Sequence, residues 1–243
     1  MRNHEHVLVP FQPWALPDGP WLVFAPHADD ETFGMGGTLY KAGEQGIETH
    51  VVVLTDGALG GEAPDLVEIR RAEAKRAVEI LGVTSLQCWT EPDRGLSRTP
   101  ELVARIADLI KQIQPLNVFF PGPLELHPDH RTTTLLVWDA LCSLQDKDVA
   151  PQAIAYEIGV QNPINRLVDI TAQKSVKEKA MAVYASQNAE NDYPDLVLAL
   201  DKARTYTLPP EVEYAEGFYV FSTDELKTPL QDVLRRIIDQ YLE

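Results

Sequence analysis

Cysteine is almost missing from this chain. Two in 243 residues, Cys88 and Cys142, cannot make the disulfide framework of a small secreted scaffold. Cys88 lies in a strand-like apolar segment and Cys142 in a helix-like one, so both read as small buried hydrophobes. Basic residues are also in deficit: 21 Lys and Arg against 37 Asp and Glu leave a formal net charge of −16. Nucleic acid and anionic membrane are poor partners for such a surface, because both are met by basic patches. A small anionic substrate met by a local arginine remains compatible. No apolar run approaches the ~18 residues of a membrane span. The first twenty residues have neither the basic stretch nor the continuous apolar core of a secretory signal, so a cytoplasmic location is expected. Internal repeats, low-complexity tracts and Gly/Ser linkers are absent too, which predicts one domain over residues 1–243.

What is present is regular alternation. Hydrophobic residues make up 44% and charged ones 24%, enough apolar material for one sizeable core. Short apolar runs predict strands over 21–25, 49–54, 86–89, 117–120 and 154–158, with helices over 36–45, 66–81 and 101–112 between the first four. Gly82 marks a helix stop, and Thr99-Pro100-Glu101 reads as a cap followed by proline at the first helical position. This order predicts an α/β fold, a Rossmann-like three-layer αβα arrangement with a mostly parallel sheet. A helix over 131–144 returns the chain to the fifth strand. Beyond residue 161 the expectations are a strand over 166–170, helices over 172–185 and 195–205, a strand over 217–221 and a closing helix over 228–242.

Two dense polar segments interrupt this pattern. Pro26-His27-Ala28-Asp29-Asp30-Glu31 follows the first strand, and His127-Pro128-Asp129-His130 follows the fourth. In open α/β sheets the carboxyl ends of the strands line the ligand crevice. A divalent metal held by imidazole and carboxylate explains why such groups gather there. His27 and Asp30 can reach one ion, with His130 as the third ligand. Asp29 then stands beside the ion's water as general base. His127 donates to the developing oxyanion, and Asp129 orients an imidazole. Taken singly, each segment has a plainer reading. Asp29, Asp30 and Glu31 suit a helix N-terminus, and His127 and His130 suit two unrelated histidines. Their pairing, in a chain with six histidines, selects the metal.

Gly34-Met35-Gly36-Gly37 invites a dinucleotide-binding reading, with Asp56 as the ribose acid. Leu39 stands where the third glycine belongs, and Asp29, Asp30 and Glu31 would repel a pyrophosphate. The glycines are read instead as letting the helix start lie close to the metal loop.

With these residues in view, the chain resembles the PIG-L / LmbE-like N-acetylglucosaminyl deacetylases. Pro26 to Glu31 and His127 to His130 carry the likeness. Leu54-Thr55-Asp56-Gly57, the Arg70 to Glu73 run leading to Leu81-Gly82-Val83, and Ser186-Gln187 extend it over residues 22–187. The resemblance implies a zinc-dependent hydrolase, with Fe²⁺ as the other candidate metal. Its substrate would be an N-acetyl (or N-acyl) amino sugar, and a metal-bound water its nucleophile. It implies His27, Asp30 and His130 as metal ligands, Asp29, His127 and Asp129 in the catalytic group, and Arg70 and Gln187 at the substrate. Glu73, one helical turn from Arg70, offers that arginine an ordinary ion pair instead. Ala28 replaces the usual proline of the first motif, and Glu125-Leu126 stands where some members carry Tyr-Gly. The competing functions are a metal-dependent phosphoesterase, a non-haem iron oxygenase and a non-catalytic sugar-binding protein with a degenerate site. Loops over 55–65, 90–98 and 188–193 are expected to wall the pocket, with Arg94 and Arg98 available to a negatively charged acceptor. Homo-oligomerisation is left open.

Overall fold

The computed structural model of the chain describes residues 9–61, 63–144, 150–188 and 192–240. Its centre is a seven-stranded sheet. Strands β1 (Trp21–Ala25), β2 (Thr49–Thr55), β3 (Ser85–Glu91), β4 (Asn117–Pro121) and β5 (Gln152–Tyr156) run parallel to one another. β7 (Ala215–Val220) joins antiparallel to β5, and β6 (Arg166–Asp169) closes that edge antiparallel to β7. The spatial order is β3-β2-β1-β4-β5-β7-β6. From β1 the chain moves outward through β2 to β3, then returns to place β4 on the other side of β1. That reversal opens a crevice at the carboxyl ends of β1 and β4. The predicted three-layer, mostly parallel α/β architecture is the one observed.

Alternation along the strands divides the core. Trp21, Val23 and Ala25 of β1 pack under helices α1 (Asp30–Glu44), α2 (Leu66–Leu81) and α5 (Lys174–Met181). Leu22 and Phe24 face α3 (Pro100–Ile113), α4 (Pro128–Cys142) and the C-terminal α8 (Leu230–Asp239). Between α5 and β7 lie the single turn α6 (Ala185–Asn188) and α7 (Tyr193–Ala203). The predicted signals operate where they were read. The Thr99 hydroxyl accepts from Leu102 N at 3.2 Å, and Gly82 takes the left-handed conformation that ends α2. Later boundaries move by a few residues. The 172–185 helix is a short 3₁₀ turn running into α5, and the last residues of the predicted closing helix, 241–242, lie outside the described residues. Cys88 and Cys142 are half-buried free thiols rather than fully buried ones. Among the described residues, no helix is long and apolar enough to cross a membrane.

The helix predicted over 36–45 is only the second half of α1, which starts six residues earlier and breaks at Met35 (φ −146°, ψ 26°). Gly34 and Gly37 mark close approaches rather than a phosphate loop. A Cβ on Gly34 would lie 2.4 Å from the Glu157 carbonyl oxygen and 2.6 Å from the Tyr156 ring, and one on Gly37 2.8 Å from Ile170. Neither backbone nor the fully buried Tyr156 can give way. Gly34→Ala should therefore cost about 1–3 kcal/mol, read from the urea midpoint; an unchanged midpoint would refute the close packing.

Candidate active site

Both polar segments arrive at the crevice. His27 follows the end of β1 by two residues, and His127, Asp129 and His130 open α4 after β4. Asp30 lies between two imidazoles. Its Oδ2 is 3.1 Å from His27 Nδ1 and 3.3 Å from His130 Nε2, and it accepts from His27 N at 2.8 Å. Donor atoms bound to one Zn²⁺ at ~2.0–2.2 Å stand about 3.4 Å apart in a tetrahedral shell, so this spacing fits a shared cation. On the far side of the ring, His27 Nε2 lies 3.1 Å from Asp129 Oδ2 and 3.4 Å from Asp93 Oδ1. Nitrogens of His27, His127 and His130 also approach within 4.8 Å of one another, as do donor atoms of His27, Asp93, His127 and Asp129. All these donor sets share His27. Asp30 belongs to neither of these last two groups, yet it touches two imidazoles at ligand spacing.

Electrostatics favour the same occupant. Burial alone would lower His27, but hydrogen bonds to Asp129, Asp30 and Asp93 raise it well above the ordinary histidine value. His130 is likewise pulled down by burial and lifted by Asp30, ending at about 9. Burial would raise Asp30, yet His130 and His27 hold it far below the usual carboxylate range. A cluster that retains protons this strongly is short of positive charge. A divalent cation would supply it, so the residues present fit a metal.

The helix-capping alternative for the first segment is tested by Asp29. It occupies the N-cap position of α1, and its carbonyl oxygen accepts from Thr32 N and Phe33 N at 2.9 Å each. Its side chain caps nothing. The residue sits at φ 142°, a conformation rare and strained outside glycine, and such strain persists where the surroundings enforce it. The carboxylate turns instead into the cavity, 3.4 Å from Arg70 Nη2. Burial pushes this carboxyl up to about 7, against the opposing pull of Arg70. Glu31 turns away into the core, where its Oε1 accepts from Tyr184 Oη and Thr32 Oγ1 at 2.8 Å.

His127 caps α4. Its Nδ1 accepts from Asp129 N at 3.2 Å, which leaves Nε2 to carry the proton in the neutral ring. Burial and the neighbouring imidazoles of His27 and His130 lower its pKa, favouring that neutral form. Asp129 Oδ2 also accepts from Arg94 N at 2.7 Å, so one carboxylate ties the β3–α3 loop to the β1 histidine.

Arg70 is buried, with 3% of its surface exposed, and does not pair with Glu73. Its guanidinium donates to Ala28 O at 3.1 Å and Gly57 O at 3.3 Å, gripping the loop that carries Asp29. That grip acts on the position where Ala28 replaces proline. Glu73 instead accepts from Ser186 N and Oγ at 3.0 and 2.6 Å. Gln187 lines the cavity and donates to Gly60 O. Arg98 pairs with Asp139 away from the cavity, whereas Arg94 lines it. Of the predicted walls, Leu59, Arg94 and Tyr193 contribute; residues 62 and 189–191 lie outside the described residues.

Two carboxylates escaped the sequence reading. Asp93 follows β3, a third strand end with an acid, and that position was the available signal. Glu125 accepts from Ile158 N at 3.0 Å and Gly159 N at 3.2 Å, and lies 3.6 Å from His130 Nδ1. No local pattern announces it, because its partners come from the end of β5. The cavity holding these groups measures about 1030 Å³.

The PIG-L family model, described as GlcNAc-PI de-N-acetylase, matches residues 22–141. A diacetylchitobiose deacetylase from Thermococcus kodakarensis is 33% identical over 188 residues, 70% of this chain and 70% of that protein. Among solved structures, the N,N'-diacetylchitobiose deacetylase from Pyrococcus horikoshii aligns with TM-score 0.77 at 27% identity, covering 88% of each chain. The 4-carboxy-2-hydroxymuconate hydratase GalB from Pseudomonas putida KT2440 aligns with TM-score 0.70 at 25% identity, over 83% of this chain and 95% of that one.

Proposed function

This chain belongs to the PIG-L family, and from that membership and the cavity chemistry we propose a metal-dependent N-deacetylase acting on an N-acetylglucosamine-containing or related amino sugar. One observation carries the reading: a single Asp30 oxygen stands at ligand spacing from both His27 Nδ1 and His130 Nε2. These three residues hold the cation, Zn²⁺ or Fe²⁺. When bound, it polarises the acetyl carbonyl and lowers the pKa of water.

The side chains do the rest. Asp29, as carboxylate, takes the proton of the attacking water while the C–O bond forms at the acetyl carbon. His127 Nε2–H donates to the carbonyl oxygen as negative charge gathers there, an interaction worth ~2.7–4 kcal/mol in comparable sites. Protonated Asp29 then gives its proton to the nitrogen as the C–N bond breaks, leaving acetate and the free amine. Arg70 keeps the Asp29 loop in place through Ala28 and Gly57. Asp129 and Asp93 orient His27 from its Nε2 side, and Glu125 faces His130 Nδ1; removing such partners typically costs 10–100-fold in metal affinity or activity. Gln187 stands at the mouth for substrate contact.

Metal analysis with an acetate-release assay tests this. Chelation should remove about one equivalent of metal and suppress hydrolysis at least ~100-fold, with Zn²⁺ or Fe²⁺ restoring it. Full acetate release from metal-free protein would sink the metal assignment. Absence of acetate release, with water added across a carbon–carbon double bond instead, would move the chain to the chemistry of the hydratase neighbour.

A further inference from the structure

The cavity has two unlike sides. At its floor His27, Asp30 and His130 are each below a tenth exposed, with Asp29 and His127 half-buried beside them. Across the mouth the surface is apolar and open. Helix α7 presents Tyr193, Leu196, Val197 and Leu200 to the cavity, at i, i+3, i+4 and i+7, the spacing of one helix face. A face of this kind is ordinarily buried. Here Val197 reaches the core, while Tyr193 remains 44% and Leu196 64% exposed. The same cavity is lined by Leu126, 75% exposed, directly before His127. Polar groups that could orient a sugar (Arg94, Asp93, Gln187) also line it. The volume lies at the upper end of what takes a whole drug-sized ligand, so it accommodates more than one acetylated sugar.

Resting on the deacetylase reading, we propose that the substrate carries an apolar aglycone, an aryl or medium-chain alkyl group. This group docks against Leu126 and the Tyr193, Leu196 and Leu200 face of α7, which line one cavity. Depth decides which end of the substrate is apolar. The acetyl group must reach the covered floor beside Asp29 and His127, so the part that meets the exposed leucines lies beyond the sugar. A polar acceptor such as a second sugar would leave those leucines in water and gain nothing from them.

The test uses methyl, butyl, hexyl and octyl glycosides of N-acetylglucosamine, kept below micellar concentration, with the metal-loaded protein. Full burial of a methylene is worth about fourfold in binding, and the open mouth covers these groups in part. kcat/KM should therefore rise at least about tenfold from methyl to octyl. In a Leu126→Asp/Leu196→Asp variant, whose replaced side chains are mostly solvent-exposed, the octyl-to-methyl ratio should fall below about twofold. Acetate release that is independent of glycoside length would overturn the proposal and leave the deacetylase reading standing. So would a preference that follows N-acyl length instead, which would put the apolar group on the acyl side. If no glycoside releases acetate, the deacetylase reading fails, and calorimetry with octyl and methyl glucoside decides the subsite alone. Tighter octyl binding, lost in the double variant, keeps it; equal affinity or no binding removes it. Self-association that Leu196→Asp abolishes, with no dependence on glycoside length, would assign the face to a second copy of the chain.

Discussion

Replacing Asp29 by asparagine is expected to lower kcat by about 10²–10⁴-fold while the protein keeps its full complement of metal. The expectation rests on what the side chain does not do. Asp29 holds the N-cap position of α1 without capping it, and its backbone is held at φ 142°. Asparagine has the branching and nearly the size of aspartate and so meets the same backbone constraint at φ 142°, and the loop should survive the exchange. Asp30, His27 and His130 are untouched, and so is the proposed cation site. What disappears is a group able to accept a proton. The pH profile supplies a second readout. A base must be ionised, so the wild-type rate should fall as pH drops through the Asp29 pKa. Burial places that pKa at about 7 in the metal-free cluster, and a cation alongside would lower it. The acid limb should therefore lie at or below about 7 and be missing from the residual activity of the variant. His130→Ala makes the contrast, since it should lose bound metal and turnover together. Asp29→Asn protein with a full metal complement and a rate within tenfold of wild type would end the assignment of this carboxylate as base.

Local signals in the sequence carried most of the fold. Apolar runs gave β1, β2, β4 and β5 within a few residues, because strands buried on both faces read as continuous hydrophobic stretches. Thr99 and Gly82 marked helix ends through side-chain and backbone preferences that act over three or four residues. Both site segments were legible for a related reason: each is contiguous and follows a strand end. What stayed hidden depends on groups distant in the chain. Asp93 acquires meaning only when β3 brings it to His27, and Glu125 only when the end of β5 supplies the Ile158 and Gly159 amides that hold it beside His130. Arg70 reads as a substrate residue with a plain ion pair to Glu73 as its alternative, yet the fold turns its guanidinium to Ala28 O and gives Glu73 to Ser186. The first turn of α1 was lost behind three glycines that favour a break in any short window. In the folded chain Gly34 and Gly37 allow contact with Glu157 and Ile170, and the helix breaks at Met35 and resumes beyond it.

That broken helix leads to the second large effect, which concerns stability rather than turnover. Lys177 is fully buried, and its Nζ donates to Asp201 Oδ2 at 2.7 Å and lies 2.8 Å from Glu216 Oε1. Glu216 in turn accepts from Gly37 N at 2.9 Å and Thr38 N at 2.7 Å. Those amides begin the second half of α1, beyond the break at Met35, where helical N–H groups lack carbonyl partners. Glu216 is therefore an N-terminal cap supplied from β7, and Lys177 balances its charge. Lys177→Met keeps the volume but leaves two carboxylates buried together without a cation. Breaking a buried pair in this way costs ~3–5 kcal/mol, a large share of the ~5–15 kcal/mol that holds a typical protein folded. For a chain of this length Tm should drop by roughly 6–20 °C. Adding Asp201→Asn to Lys177→Met should recover part of the loss, since one uncompensated charge goes while Glu216 still caps the helix. A simple cavity or packing defect would not respond to that second change. Lys177→Met protein that melts within a degree or two of wild type would show that the triad does not support the break in α1, and with it the loop that carries Asp29 and Asp30.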